Sequence, residues 1–440
     1  MSSLPTIYST TETTLKTEAP SNPTGSRGTE FFVLFMKNHP HATGLLKTYI
    51  TTNNTSSLNI TSSRNLNQTM KHQIDRNITF TSYTNISFPF DLAVHELTTE
   101  YKAVIIRSTE LSTVTLFDAD RSSTNDGTLV IPTNKLSTNY LVSTIKGYDF
   151  GFDFENQFAI GILHNKTQLN IKFNIGDNES LVVHGQLFSS GNVYSHTFGE
   201  LETLQVSHKG DLTGTYITSN KPVAVFSGTE CNKFLSYTTC SHMLSQLPPI
   251  DQFDNEYIIP PFYDNSGTFI QVVSPFHSNV NTITGNSTSR YHLNDQEHKN
   301  ITVTTDNVTI VKSERPVMVT GYAMGSQFHD PYMTVIPGIN QYLDYYKIVV
   351  PDQYRDNYLC VIIPTGSSNN LHINQLSIGQ FNTVYQRAVD SSGKTFNVRT
   401  FRVQEGVYTL KTTDREPFGL IVYGHRTDDG YGFAGNFVLP

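Results

Sequence analysis

The 440-residue sequence has no tryptophan, three cysteines and few charges, and no apolar run in it is longer than the six residues Phe31–Met36. A membrane-spanning helix needs about 20 apolar residues, so membrane insertion by that route is excluded. Charged residues make up 15% of the chain, where about a quarter is usual. The net charge of −8 repels a phosphate backbone and no basic run offsets it, which argues against nucleic acid. No secretory leader opens the chain. Met1 instead runs into a Ser/Thr/Pro-rich stretch that offers no face to a core. Residues 1–27 therefore read as a dispensable linker, and the chain as a piece of a longer multidomain protein.

Catalytic and cofactor signatures are missing as well. There is no G-x-S-x-G, H-E-x-x-H, phosphate-binding loop or G-x-G-x-x-G. His95 and Glu96 lack a second histidine at metal-ligand spacing, and His39 and His41 flank a proline in a loop-like stretch. The run DADRSSTNDG (118–127) lacks the glycine and glutamate of a helix–loop–helix calcium site, and reads as a solvated turn before a loop calcium site. The expectation is no cofactor, no metal and no enzyme.

Serine, threonine and asparagine supply most of the polarity, and 23 Tyr and 27 Phe suit pleated surfaces. Short β-branched and aromatic runs bounded by Gly, Pro, Asn or Asp recur along the chain, among them PVAVFSG, TFIQVVS and YLCVIIP. No long window carries helical periodicity, and SHMLSQL (241–247) is the nearest candidate for a turn or two. The fold class is all-β, with helix expected below about a tenth of residues.

One phrase repeats: a strand, a Ser/Thr turn, a proline, a second strand. It spans Thr215–Gly228, Val308–Gly321 and Tyr408–Gly424, with a copy lacking the proline at Val104–Phe117. A second phrase follows, in which Pro132, Pro249 and Pro337 each precede a tyrosine by eight residues, Tyr140, Tyr257 and Tyr345. These phrases divide the chain into units 28–132, 133–249, 250–337 and 338–440. About a hundred residues with seven or eight short strands suits a β-sandwich, so tandem sandwich-like repeats are expected. The alternative is a β-propeller, with two four-stranded blades per unit. Pro222, Pro316 and Pro417 belong at an edge or turn. Alternation places Val223, Val225, Val317 and Val319 toward cores, with Ala224 and Met318 on the opposite face. The units form either an open row or a closed cluster that brings Phe437–Leu439 to Phe31–Phe35.

Spacing allows Cys231 and Cys240 to close a loop disulfide, and equally allows three reduced thiols, with Cys360 a buried strand residue. Glycosylation sequons stand at Asn53, Asn54, Asn59, Asn67, Asn77, Asn85, Asn165, Asn178, Asn286, Asn300 and Asn307. The six between 53 and 87 mark an exposed segment.

The stretch Ser219–Gly228, with Lys221, Pro222 and Val223, is followed by Cys231, Cys240, His242, Gln246, Leu247, Pro248 and Pro249. It resembles the IgG Fc-binding protein N-terminal domain family, whose pattern has the form S-x-K-P-V-A-V-F-S-G, a Cys loop, then C-x-H-x-x-x-Q-L-P-P. The resemblance extends loosely over 28–440; residues 51–87 depart from it. It implies a secreted or cell-surface adhesion module, often one part of a mucus or matrix protein, that binds a protein or glycoprotein. It also implies a Cys231–Cys240 disulfide. A structural spacer is the alternative, and a glycan-acting enzyme a lesser one. A turn packing His242 under Pro248 is expected to be structural.

Overall fold

The computed structural model describes residues 25–39, 42, 44–95, 98–118, 124–146, 154–236, 239–304 and 306–439. Strands hold 59% of the described residues and helices 7%, as the β-rich patterning requires. The α-helix Gln68–Ile74 opens on Asn67, whose side chain accepts the Met70 N–H. The helical candidate at 241–247 is instead the strand Ser241–Gln246. The linker expected over 1–27 lies outside the described residues up to residue 24. Gly25 and Ser26 are already buried.

Each unit is built on one long strand that turns a corner. In the second unit this is Tyr216–Asn232. Its first half pairs with Ser137–Leu141 and Thr167–Lys172, its second half with Asn156–Ile162 and Ser241–Gln246. In the third unit Thr309–Ala323 pairs first with Asp254–Ile259 and Ser278–Thr284, then with Thr268–Val273 and Tyr332–Val335. In the fourth the corner splits the strand into Gly406–Thr412 and Gly419–Arg426, with the same neighbours in the same order. In the first, Val104–Phe117 pairs with Gly28–Val33, with the long Leu45–Ser62, and with Gly127–Val130. Two half-sheets folded across one strand enclose a core, which makes each unit a small sandwich.

The prolines sit where the strand changes sheet. Pairing slips between Thr218 and Val223 around Pro222, and between Lys312 and Val317 around Pro316. A residue without an N–H fits where the ladder is already broken. A tyrosine locks each of these corners. Tyr140 Oη accepts the Ser137 N–H at 3.0 Å and donates to the Val223 carbonyl at 2.7 Å. Tyr257 does the same between Asp254 N–H and Val317 O, and Tyr346 between Leu343 N–H and Phe418 O. The acceptors are the residues directly after Pro222, Pro316 and Pro417. The fourth unit thus uses Tyr346 and not Tyr345. Gly338 caps the short helix Ile339–Gln341 where Pro132 and Pro249 cap theirs, so the count of eight starts one residue later. Glycine is needed there because a Cβ at 338 would run into the Asp254 side chain. Phe31 takes this place in the first unit, paired opposite Ile106, without a hydroxyl.

The expected faces hold, but both are buried. Val223 and Val225 lie in the second core and Ala224 and Phe226 in the first. Val317 and Val319 lie in the third core and Met318 in the second. Leu420 and Val422 lie in the fourth, Ile421 and Tyr423 in the third. Each corner strand is therefore a wall between two cores. The last core takes in Tyr49 and Phe117, and the first takes in Phe437 and Leu439 beside Phe31–Phe35. The units form a closed cluster, not an open row.

At its centre the inner strands Gly127–Val130, Ser241–Gln246, Tyr332–Val335 and Asp429–Ala434 lie side by side. Asp126, fully buried, joins them. Its carboxyl oxygens accept N–H bonds from Gly127 at 2.8 Å, Leu244 at 3.1 Å, Met333 at 3.0 Å and Gly432 at 3.1 Å. These donors pair with Phe117, Gly228, Tyr322 and Tyr423, equivalent positions of the corner strands. Burial pushes the Asp126 carboxyl well above its usual pKa, against the opposing pull of the Met333, Gly127 and Leu244 N–H groups. The solvated turn expected over 118–127 is thus wrong at both ends: Asp118 and Asp126 are wholly buried. Residues 119–123 lie outside the described residues.

Two substitutions test this account by urea denaturation. Asp126→Ala leaves four buried donors unmatched at about 1–3 kcal/mol each, so a loss of at least about 4 kcal/mol is expected. A loss below about 1 kcal/mol would show that the centre closes without it. Tyr257→Phe removes one corner lock and is expected to cost about 1–3 kcal/mol, with the slope of the transition unchanged.

Candidate binding site

The sequence motif turns out to be internal. Val223 is core, Pro222 is at the corner, and Lys221 reaches across the surface to the Asn165 carbonyl at 2.7 Å. The N–H groups of His242, Leu244 and Gln246 are accepted by the side chains of Thr124, Asp126 and Thr128. Gln246 Oε1 accepts the Ile131 N–H at 2.8 Å. The His242 ring meets the Asp118 carboxyl, both fully buried. Pro248 and Pro249 are buried, Pro249 opening the short helix Ile250–Gln252. This seam joins the first two units.

Cys231 and Cys240 form a disulfide with Cα atoms 5.3 Å apart. Phe234 in the loop it closes packs on Phe269 and Tyr322 of the third unit, at 5.2 and 5.6 Å. Cys360 is a buried strand residue, its thiol pushed up to about 12 by burial. His39 packs on Phe154, and the His95 N–H donates to Glu100; His41 and Glu96 lie outside the described residues. Ten of the eleven sequon asparagines are exposed and Asn307 is half-buried. The segment 53–87 is most of a long hairpin with the helix Gln68–Ile74 between its strands, Asn67 capping that helix and Asn59 directly opposite Asn77.

An open cleft of about 600 Å³ lies on the third unit, lined by residues of that unit alone, among them Tyr263, Asp264, Asn265, Asp306, Gln327 and Phe328. Phe328 is 67% exposed, the most of any phenylalanine or tyrosine among the described residues, and Tyr263 37%. The loop that carries Tyr263 is pinned from below. Its N–H donates to Tyr423 Oη at 3.0 Å and its ring stands on Tyr358 at 5.5 Å. Asn265 is held by the Gly325 N–H at 3.1 Å and by the Tyr263 carbonyl at 3.2 Å. Asp264 adopts φ 63°, a left-handed conformation that aspartate tolerates. Its carbonyl accepts from His329 Nε2 at 2.7 Å while its carboxyl stays largely exposed.

Under Asp264 the His329 and His425 rings stack at 3.8 Å, 7° from parallel. His425 Nε2 lies 3.5 Å from Asp264 Oδ2. The ligand atoms of these three residues fall within 4.8 Å of one another. Parallel rings keep their nitrogen lone pairs side by side, so an ion in the plane of one ring lies outside the plane of the other. One ring has to turn before both bind one metal. Burial and the His329 charge lower the His425 pKa to about 3 from 6.5, and burial lowers His329 too. No sequence signal marked this group, because 264, 329 and 425 sit in different loops and strand ends.

The sequence pattern of the family described as IgGFc binding protein matches residues 126–424. The chain belongs to that family. A human relative, the IgGFc-binding protein of Homo sapiens, is 24% identical over 338 residues, which is 76% of this chain and 6% of that protein. The chain thus spans a small part of its relative's length. Among solved structures, a mutant of the major pilin of Streptococcus pyogenes aligns with 7% identity and a TM-score of 0.14, covering 92% of this chain and 99% of that one. A Ca2+-stabilized ice-binding adhesin of an Antarctic bacterium gives 9% and 0.12, covering 94% and 100%. At those scores neither bears on the fold. No helix among the described residues is long and apolar enough to cross a membrane.

The histidine stack yields a pH prediction. With the folded pKa of His425 near 3 and the unfolded value at 6.5, the unfolded chain binds more protons between those limits. The contribution of His425 to stability therefore falls as pH falls through that window, by about 1.4 kcal/mol per pH unit, while the buried carboxyls of Asp330 and Asp429, raised to about 7 and about 8, act in the opposite sense. Melting curves from pH 7 to 5 are expected to show more stability lost on acidification in the wild type than in His425→Phe. Parallel profiles would remove His425 as the cause.

Proposed function

We propose that this chain is an extracellular recognition module that binds a protein or glycoprotein partner through the cleft on its third unit, beside the fourth. The observation that carries the reading is the pair of exposed rings, Phe328 and Tyr263, set among polar groups on a pinned loop. Loops fixed on a rigid β scaffold commonly carry binding. Membership of a family named for binding, the disulfide and the exposed sequon asparagines support a secreted or cell-surface location and glycosylation of the chain. The recurring strand order supports the division into units 28–132, 133–249, 250–337 and 338–440. A place within a larger mucus or matrix protein follows the same family reading. Asp264 and Asp306 are open to water, which suits recognition better than catalysis.

A second reading, that of a spacer, draws on the shared cores, which make the four units one stiff block. The full chain passed over immobilised IgG Fc, deglycosylated Fc and a secreted mucin separates the two. Binding to at least one surface is expected, weakened tenfold or more in Phe328→Ala at an unchanged melting temperature. No retention on any of them, with self-association of the chain, is the spacer's result.

A further inference from the structure

The chemistry of the cleft narrows the ligand. Among the described residues no cationic side chain lines it, while two carboxylates, Asp264 and Asp306, do. The guanidinium of Arg355, close enough to feel the Asp264 charge, is engaged by Asp356 at 2.7 Å. A ligand bearing carboxylate, sulfate or phosphate meets like charge in the lining itself. The amide of Gln327 and the hydroxyls of Ser266 and Ser326 add both donors and acceptors, and Asn265, whose N–H groups are taken by Tyr263 and Tyr332, adds an acceptor through Oδ1. Phe328 and Tyr263 add flat apolar faces. The volume of about 600 Å³ falls in the range of small-ligand sites, roughly 300–1,000 Å³.

Resting on the binding role argued above, we propose that the cleft takes an uncharged carbohydrate, one or a few pyranose rings of a neutral glycan chain. A pyranose presents C–H groups on one face, which cover an aromatic ring, and hydroxyls around its rim, which match carboxylates and amides. The two aspartates accept hydroxyl protons, and they exclude sialylated and sulfated sugars. Asn265 is held in place by its bonds to Gly325, Tyr263 and Tyr332, so its orientation costs nothing on binding. A lysine- or arginine-rich peptide is the competing occupant. Ion pairs as exposed as those it forms with Asp264 and Asp306 contribute little and fade with salt. Such a peptide also leaves the amide and hydroxyl groups unmatched.

The full chain is applied to an array of neutral, sialylated and sulfated oligosaccharides beside a lysine-rich peptide, and the best neutral glycan is then titrated by calorimetry. Because Asn307 adjoins Asp306, the same measurements are made in an Asn307→Gln background, so that a glycan of the chain itself does not fill the cleft. Binding confined to uncharged glycans is expected. Phe328→Ala should weaken it tenfold or more and Phe328→Trp should retain it. Asp264→Asn should widen acceptance toward sialylated forms. Peptide binding abolished by salt, with no glycan bound, overturns the inference. So does a glycoprotein that stays bound after its glycans are removed and is lost in Phe328→Ala; in that case the binding role stands and the carbohydrate does not. Loss of neither glycan nor glycoprotein in Phe328→Ala removes the cleft from both.

Discussion

Four hydrogen bonds to one carboxyl group hold the centre of this protein together. An inner strand in a sandwich has one free edge, and four such edges meeting at a point leave N–H groups with no ladder to complete. Asp126 accepts the N–H at the equivalent position of every inner strand, its own unit's included. Thr124 and Thr128 extend the device along one seam, by capturing His242 and Gln246. A four-fold arrangement is thus closed by a residue that one unit supplies and the others lack. The asymmetry fixes which unit neighbours which.

The shared cores follow from that closure. A corner strand with alternating apolar residues normally buries one face and wets the other. Here Ala224, Phe226, Met318, Ile421 and Tyr423 are taken up by the preceding unit's core. Unit and neighbour are therefore stabilised by the same strand. The binding cleft inherits this stiffness, since Tyr263 of the third unit is fastened to Tyr423 and Tyr358 of the fourth.

Much of this was legible in the residues, and the parts that were not share a cause. Proline marked the corners because its missing N–H obeys a local rule, and the valines kept their alternation because pleating is local. The tyrosine spacing was legible too, though it slipped by one at Tyr345 because glycine replaced the capping proline at 338. Asp126 read as part of a wet turn because its partners lie up to 306 residues away. The strand at Ser241–Gln246 looked helical because nothing local makes it a strand: it pairs with Phe226–Asn232 on one edge and meets acceptors of the first unit on the other. Phe328 was one more loop aromatic until its exposure was seen. Local chemistry wrote the units; the contacts between them hold the centre and shape the cleft.

The beginning and end of the packed chain touch. The Ser26 N–H donates to Asn436 Oδ1 at 2.6 Å, and Gly25 lies against Leu343 and Phe437. Any polypeptide joined to both sides would enter and leave at one spot, so the module would hang from it as a pendant instead of lying in line as a link. A pull on the two ends loads that small clasp first, in the manner of a zip opened from its end, and the ring behind it feels no tension until the clasp parts. A strand under flow or shear can then be taut while the cleft, on the third unit, keeps its shape.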